Sequence, residues 1–94
     1  MRATPLLRER RVVSEGAFVE LVVWQVPSPV PGSAHAFKYR LAFVVDGICV
    51  LRYDNEAGKG DHKHLGAVEV PYRFTTPTRL LADFWSDVDR WRPS

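Results

Sequence analysis

The chain has 94 residues, 46% of them hydrophobic and 26% charged, with a formal net charge of +2. That length suits one domain with a modest core, and the apolar content excludes a disordered chain. The slightly basic balance is compatible with a nucleic acid or an acidic partner, but is too weak to argue for either alone.

A single cysteine, Cys49, cannot close an internal disulfide, which fits a reducing compartment. No apolar run approaches the roughly 18 residues of a membrane helix, and Met1-Arg2-Ala3-Thr4-Pro5 does not begin a signal peptide. A cytoplasmic protein with no membrane partner is expected, folded as one domain over residues 1–94.

Leu6-Leu7 with Arg8, Glu9, Arg10 and Arg11 is a charged lead-in that starts a strand or forms a short helical turn. Arg11 to Ser14 and Ala17 to Val26 read as strands joined at Glu15-Gly16. A two-residue turn there sets Ser14 opposite Ala17 and Arg11 opposite Glu20. The second strand is apolar on both faces at its centre, which predicts an inner position. Pro27-Ser28-Pro29-Val30-Pro31-Gly32-Ser33 cannot carry a hydrogen-bond ladder and is a stiff connector. His35 follows it, a lone histidine at a loop–strand junction and more often structural than functional.

Phe37 to Val45 alternates, with Phe37, Tyr39, Leu41, Phe43 and Val45 on one side. Asp46-Gly47 is a hairpin turn, and Ile48 to Tyr53 returns. A continuous register from that turn pairs Arg40 with Tyr53 and Lys38 with Asn55. Lys38, Arg40, Tyr53 and Asn55 then share one face beside the stretch that follows.

Asp54-Asn55-Glu56-Ala57-Gly58-Lys59-Gly60-Asp61-His62-Lys63-His64 concentrates more polar chemistry than any other segment. Gly58 and Gly60 permit close backbone approach to a ligand. The spacing is not that of a P-loop. If the segment is extended, His62 and His64 project to one side, with Asp61 and Lys63 opposite. Val68 to Phe74 reads as a fifth strand, confined to an edge or bulge by Pro71. Thr76-Pro77 opens an amphipathic helix from about Thr78 to Arg92, with Leu80, Leu81, Phe84, Val88 and Trp91 on its apolar side. Asp83, Asp87 and Asp89 are expected in solvent. The class is α+β: a twisted antiparallel sheet of about five strands, from two hairpins plus an edge strand, with the C-terminal helix packed on one face.

Cleavage of a phosphodiester without metal needs a base for the 2′-hydroxyl, an acid for the leaving oxygen, and cations for the phosphorane charge. Histidine suits both proton roles, and Lys and Arg suit the charge. The candidate catalytic residues are His62, His64, Lys59, Asp61, Asp54 and Tyr53. The candidate substrate-binding residues are Lys38, Arg40, Asn55, Lys63, Gly58 and Gly60. Asp54 or Asp61 would orient a histidine. The same histidines with Asp61, Asp54 or Glu56 could instead hold Zn or Mn. Neighbouring lysines oppose a cation, so no metal or cofactor is expected. The bland alternative leaves the acids as turn caps and the histidines in water.

Tyr53-Asp54-Asn55-Glu56, Gly58-Lys59-Gly60-Asp61-His62 with His64, and Glu69-Val70-Pro71-Tyr72-Arg73-Phe74 resemble the TumE-type toxins of prokaryotic toxin–antitoxin modules. Val22 to Pro27, Pro29 to Ser33, Phe37 to Arg40 and Leu81 to Phe84 fit the same pattern, which runs from about Leu7 to Arg92. The resemblance implies a small cytoplasmic toxin, growth inhibition when it is free, and a cognate antitoxin, typically a helix-turn-helix protein. It hands over no catalytic residues. The function expected is a ribonuclease-like toxin acting on RNA. The alternatives are a metal-dependent nuclease and a non-catalytic toxin that binds nucleic acid or protein.

Overall fold

A computed structural model of the protein describes residues 2–93. Alternation of apolar and polar residues produces strands joined by tight turns, giving an antiparallel sheet with its six strands in chain order. These are β1 (Thr4–Ser14), β2 (Ala17–Gln25), β3 (Phe37–Val45), β4 (Ile48–Asp54), β5 (His62–Leu65) and β6 (Val68–Pro71). The helix α1 (Pro77–Arg90) follows, with the Thr76 hydroxyl accepting from the Arg79 N–H as N-cap and Pro77 in the first turn. The sheet has one strand more than expected. The segment read as a glycine–histidine loop closes into β5, so His62-Lys63-His64 is sheet and only the residues before it are loop.

Packing divides the sheet into two unlike faces. Ala17, Val19, Leu21 and Val23 of β2 join Tyr39, Leu41 and Phe43 of β3 and Leu51 and Tyr53 of β4 on the helix side. Leu80, Phe84 and Val88 cover them, all three buried. Fully burying such side chains contributes about 1.5–3 kcal/mol each, so this side carries the hydrophobic stability. The opposite face has no element packed across it among the described residues, and we call it the open face.

Three bulges decide which residues reach the open face. Arg10, not Arg11, lies opposite Glu20, because Val13 is an extra residue between the Val12–Phe18 and Ser14–Ala17 pairs. Leu6 is extra in the same way near the start of β1. In the second hairpin Val45 pairs with Ile48 and Val44 with Cys49, but Phe43 pairs with Leu51, leaving Val50 extra. From there the expected register is displaced by one residue. Arg40 faces Asp54, Leu41 faces Tyr53 and Ala42 faces Arg52. A displacement of one exchanges the two faces. Tyr53 therefore turns into the core beneath the helix, while Arg52 and Asp54 turn to the open face. The expected grouping of Tyr53 with Lys38 and Arg40 is corrected.

Candidate functional site

The pairings lay out the open face as two rows across the strands. One row runs Arg8, Val22, Arg40, Asp54, His62, Pro71, and its neighbour runs Arg10, Glu20, Ala42, Arg52, His64, Glu69. Antiparallel partners stand on the same face about 5 Å apart, so the histidines lie beside the acid and arginine of β4. The expected alternation in β5 holds. The His62 and His64 ring centroids are 4.9 Å apart, and Lys63 points to the helix side.

His62 is 4% exposed. Its Nδ1 meets the Gly60 carbonyl at 2.9 Å, an arrangement in which the ring donates. Its Nε2 lies 2.6 Å from Asp54 Oδ1. The pair is close but misaligned for a hydrogen bond, and Nε2, Oδ1 and the neighbouring Arg52 Nε are all buried without a hydrogen-bond partner. Arg52 Nε sits 2.9 Å from Asp54 Oδ2, and its Nη2 donates to His64 Nε2 at 3.0 Å. His64 is the more open ring, with Glu69 3.7 Å away.

Lys38 and Arg40 stand exposed on the same face, together with Arg8 and Arg10. None of these four forms an ion pair among the described residues. Several cations elsewhere do, among them Arg11 with Glu9, Lys63 with Asp87, Arg79 with Asp83 and Arg90 with Asp87. Arg8 and Arg10 lie at the far edge on β1, while Lys38 and Arg40 on β3 stand two strands from the histidine cluster. A cavity of about 300 Å³ between Lys38, Arg40, Arg52, Asp54, Asn55 and Glu56 adjoins it.

The remaining sequence candidates lie elsewhere. The Tyr53 hydroxyl donates to Asp87 on the helix, and burial followed by that hydrogen bond raises its pKa. Lys63 Nζ reaches the same carboxylate at 3.1 Å. Burial alone would raise the Asp87 pKa, but the hydrogen bonds from Tyr53 and Lys63 outweigh it and the net shift is downward. Asn55 is buried and structural: its Oδ1 accepts from the Tyr39 N–H at 2.9 Å and its Nδ2 donates to the Phe37 carbonyl at 2.7 Å. Asp61 does orient a histidine, but it is His35, at 2.8 Å, and it also accepts from the Tyr39 hydroxyl at 2.6 Å. Burial and then that bond raise the Tyr39 pKa. Lys59 is exposed and 3.7 Å from Glu56. Gly58 is exposed, while Gly60 is buried against the Gly32 backbone and supplies the carbonyl to His62.

The family model for toxin TumE matches residues 2–92. The chain belongs to the TumE toxin family. No curated protein and no solved structure matches the chain significantly. Membership makes it the toxin component of a toxin–antitoxin system, with an antitoxin as its partner. No helix among the described residues is long and apolar enough to cross a membrane.

In this TumE toxin, Asp54, His62 and His64 each offer a donor atom, all within 4.8 Å of one another. As a donor set they fit a transition-metal ion. Arg52 opposes one, because its guanidinium occupies His64 Nε2 and flanks Asp54, and a dication would have to displace that fixed charge. Arg52, Glu69, Arg8 and Arg10 share this face and were not among the candidates chosen from the sequence. A bulge at Val50 would have revealed Arg52, but nothing in Ile48-Cys49-Val50-Leu51 announces one. Asp83 and Asp87 were expected in solvent and are instead hydrogen-bonded to Tyr72 and Tyr53.

Proposed function

We propose that this TumE toxin is a metal-independent ribonuclease working on the open face of the sheet. The observation that carries the reading is the His62–His64 pair, set beside Asp54 and Arg52 on a face that also presents Lys38 and Arg40, and further off Arg8 and Arg10, without ion-pair partners. The unpaired cations attract the RNA backbone, releasing its counterions. Arg52 neutralises the non-bridging oxygens as charge grows on phosphorus.

As Arg52 swings from His64 Nε2 onto the phosphate, that nitrogen is freed and takes the proton of the 2′-hydroxyl. The O2′–P bond forms and the P–O5′ bond breaks. His62, held by Gly60, gives the proton at Nε2 to the departing 5′-oxygen, which reaches that buried nitrogen as the Arg52 side chain moves onto the phosphate. The products are a 2′,3′-cyclic phosphate and a 5′-hydroxyl. Asp54 stabilises His62 in its protonated form and holds Arg52 in line. Such proton transfer contributes about 10²–10⁴-fold.

The test is incubation of purified toxin, His64→Ala and Arg52→Ala with end-labelled single-stranded RNA and with DNA of the same sequence. Cleavage of RNA alone, leaving cyclic phosphate and lost in both variants, is the expected result. Cleavage that persists equally in all three proteins, or that extends to DNA, overturns it.

A further inference from the structure

Beside the histidine cluster the open face changes character. Trp24 stands opposite Lys38 and Val22 opposite Arg40, and with Ala3, Val26 and Tyr39 they line a largely apolar cavity of about 330 Å³. Lys38, Tyr39 and Arg40 line this cavity and also the polar one at Asp54 and Arg52. The two cavities adjoin at these residues. The polar cavity is lined by Asp54 and Arg52, which lie against His62 and His64, and the other cavity offers an aromatic ring and two cations without ion-pair partners.

The core does not require Trp24. The helix lies on the other side of the sheet, and Trp85 and Trp91 already pack there. Trp24 is only half-buried on a face that nothing covers. A large aromatic ring flanked by exposed cations and next to a polar cavity is an arrangement that single-stranded nucleic acid uses. Bases stack on the ring while the cations hold the phosphates. Three strand spacings of about 4.8 Å separate His62 from Trp24. The reacting phosphate and the stacked base are therefore different residues of one strand.

We propose that the Trp24 cavity is a nucleobase-stacking subsite, binding an unpaired base of single-stranded RNA a short distance along the strand from the phosphate at His62 and His64. The subsite rests on the ribonuclease reading for its ligand, but it acts through stacking and not through proton transfer. Every base has a flat face, so the subsite selects for unpaired RNA over duplex without selecting sequence.

The test uses 2′-O-methyl RNA hexamers, which lack the attacking hydroxyl, so binding is read without cleavage. A matching hexamer with abasic positions keeps the phosphates and removes the bases. The wild type should bind the base-bearing hexamer more tightly than the abasic one, with quenching of tryptophan fluorescence. Trp24→Ala should lose on the order of tenfold or more for the base-bearing hexamer only. Trp24→Phe should keep the affinity and lose the quenching, which gives a readout even if the alanine variant folds poorly. The subsite is overturned if Trp24→Phe quenches like wild type, or if a folded Trp24→Ala keeps the wild-type preference for bases. A wild type that binds neither hexamer removes the nucleic-acid reading and the subsite together. A wild type that binds and cleaves RNA while the Trp24 variants match it removes the subsite alone.

Discussion

Asp54 and His62 face each other across β4 and β5, with Oδ1 2.6 Å from Nε2 and the opposite ring nitrogen held by the Gly60 carbonyl at 2.9 Å. The ring is fixed from both sides before any substrate arrives, so the geometry is built by the fold and not induced. Asp54→Asn should leave the fold recognisable and reduce RNA cleavage by about 10²-fold, because the protonated ring loses its anionic partner. Cleavage rate measured beside a thermal melt separates the two effects. A variant as active as wild type would remove Asp54 from the mechanism.

His64 and His62 should respond differently to truncation. His64 is the more open ring and its main partner is a flexible arginine, so His64→Ala should lower cleavage about 10²–10⁴-fold with a small change in melting temperature. His62 is buried, and removing it leaves a cavity and takes from the Asp54 carboxylate one of its two partners, with only Arg52 remaining. His62→Ala should therefore lose both activity and roughly 3–5 kcal/mol of stability, read by denaturant unfolding.

Metal removal offers a direct discrimination. With Arg52 lying against two of the three donor residues, activity should be unaffected by EDTA and by dialysis against chelating resin. Arg52→Ala strips away the competing charge and leaves Asp54, His62 and His64 as an open donor set. That variant should bind Zn²⁺ more tightly than the wild type by calorimetry. Loss of wild-type cleavage in EDTA, restored by added metal, would reassign the cluster as a metal centre.

Much of this arrangement could be read from the chain, and the part that could not has one physical origin. Strand alternation, the Asp46-Gly47 turn, the Thr76-Pro77 helix start and the shared side of His62 and His64 all follow from local rules. The content of the open face depends on Val50, where one extra residue moves Arg52 and Asp54 outward and Tyr53 inward. Bulges are settled by packing across strands, and Tyr53 goes inward because the buried helix side takes its ring while Asp87 takes its hydroxyl. His35 illustrates the same limit. Its partner Asp61 is 26 residues away in sequence, and no local pattern joins them.

Lys38 and Arg40 should govern affinity more than turnover. Neither contacts the histidines, and both are exposed on the approach to them. Lys38→Glu with Arg40→Glu should weaken RNA binding strongly at low salt. It should also make the slope of log K against log salt shallower by about 1.4, at about 0.7 for each single-strand phosphate that is no longer neutralised. An unchanged slope would mean that the backbone runs elsewhere.

The helix is tied to the sheet by Asp87, which receives the Tyr53 hydroxyl and Lys63 Nζ beneath it and Arg90 beside it. The Asp87 pKa is lowered in the folded protein from an unfolded value near 3.8. A lowered carboxyl gives stability that is fully present above the unfolded value. That stability is lost as pH falls from there through the folded value, because the unfolded chain then binds the proton more readily. Asp87→Asn should therefore be less stable than wild type at pH 7, and the difference should shrink as the solution is acidified below about pH 4. Tyr53→Phe should cost roughly 1.5–3 kcal/mol at neutral pH, the range for a hydrogen bond to a charged group. Urea unfolding from pH 7 down to pH 2.5 provides the measurement. Parallel pH profiles for wild type and Asp87→Asn would show that this carboxylate does not join helix to sheet in solution.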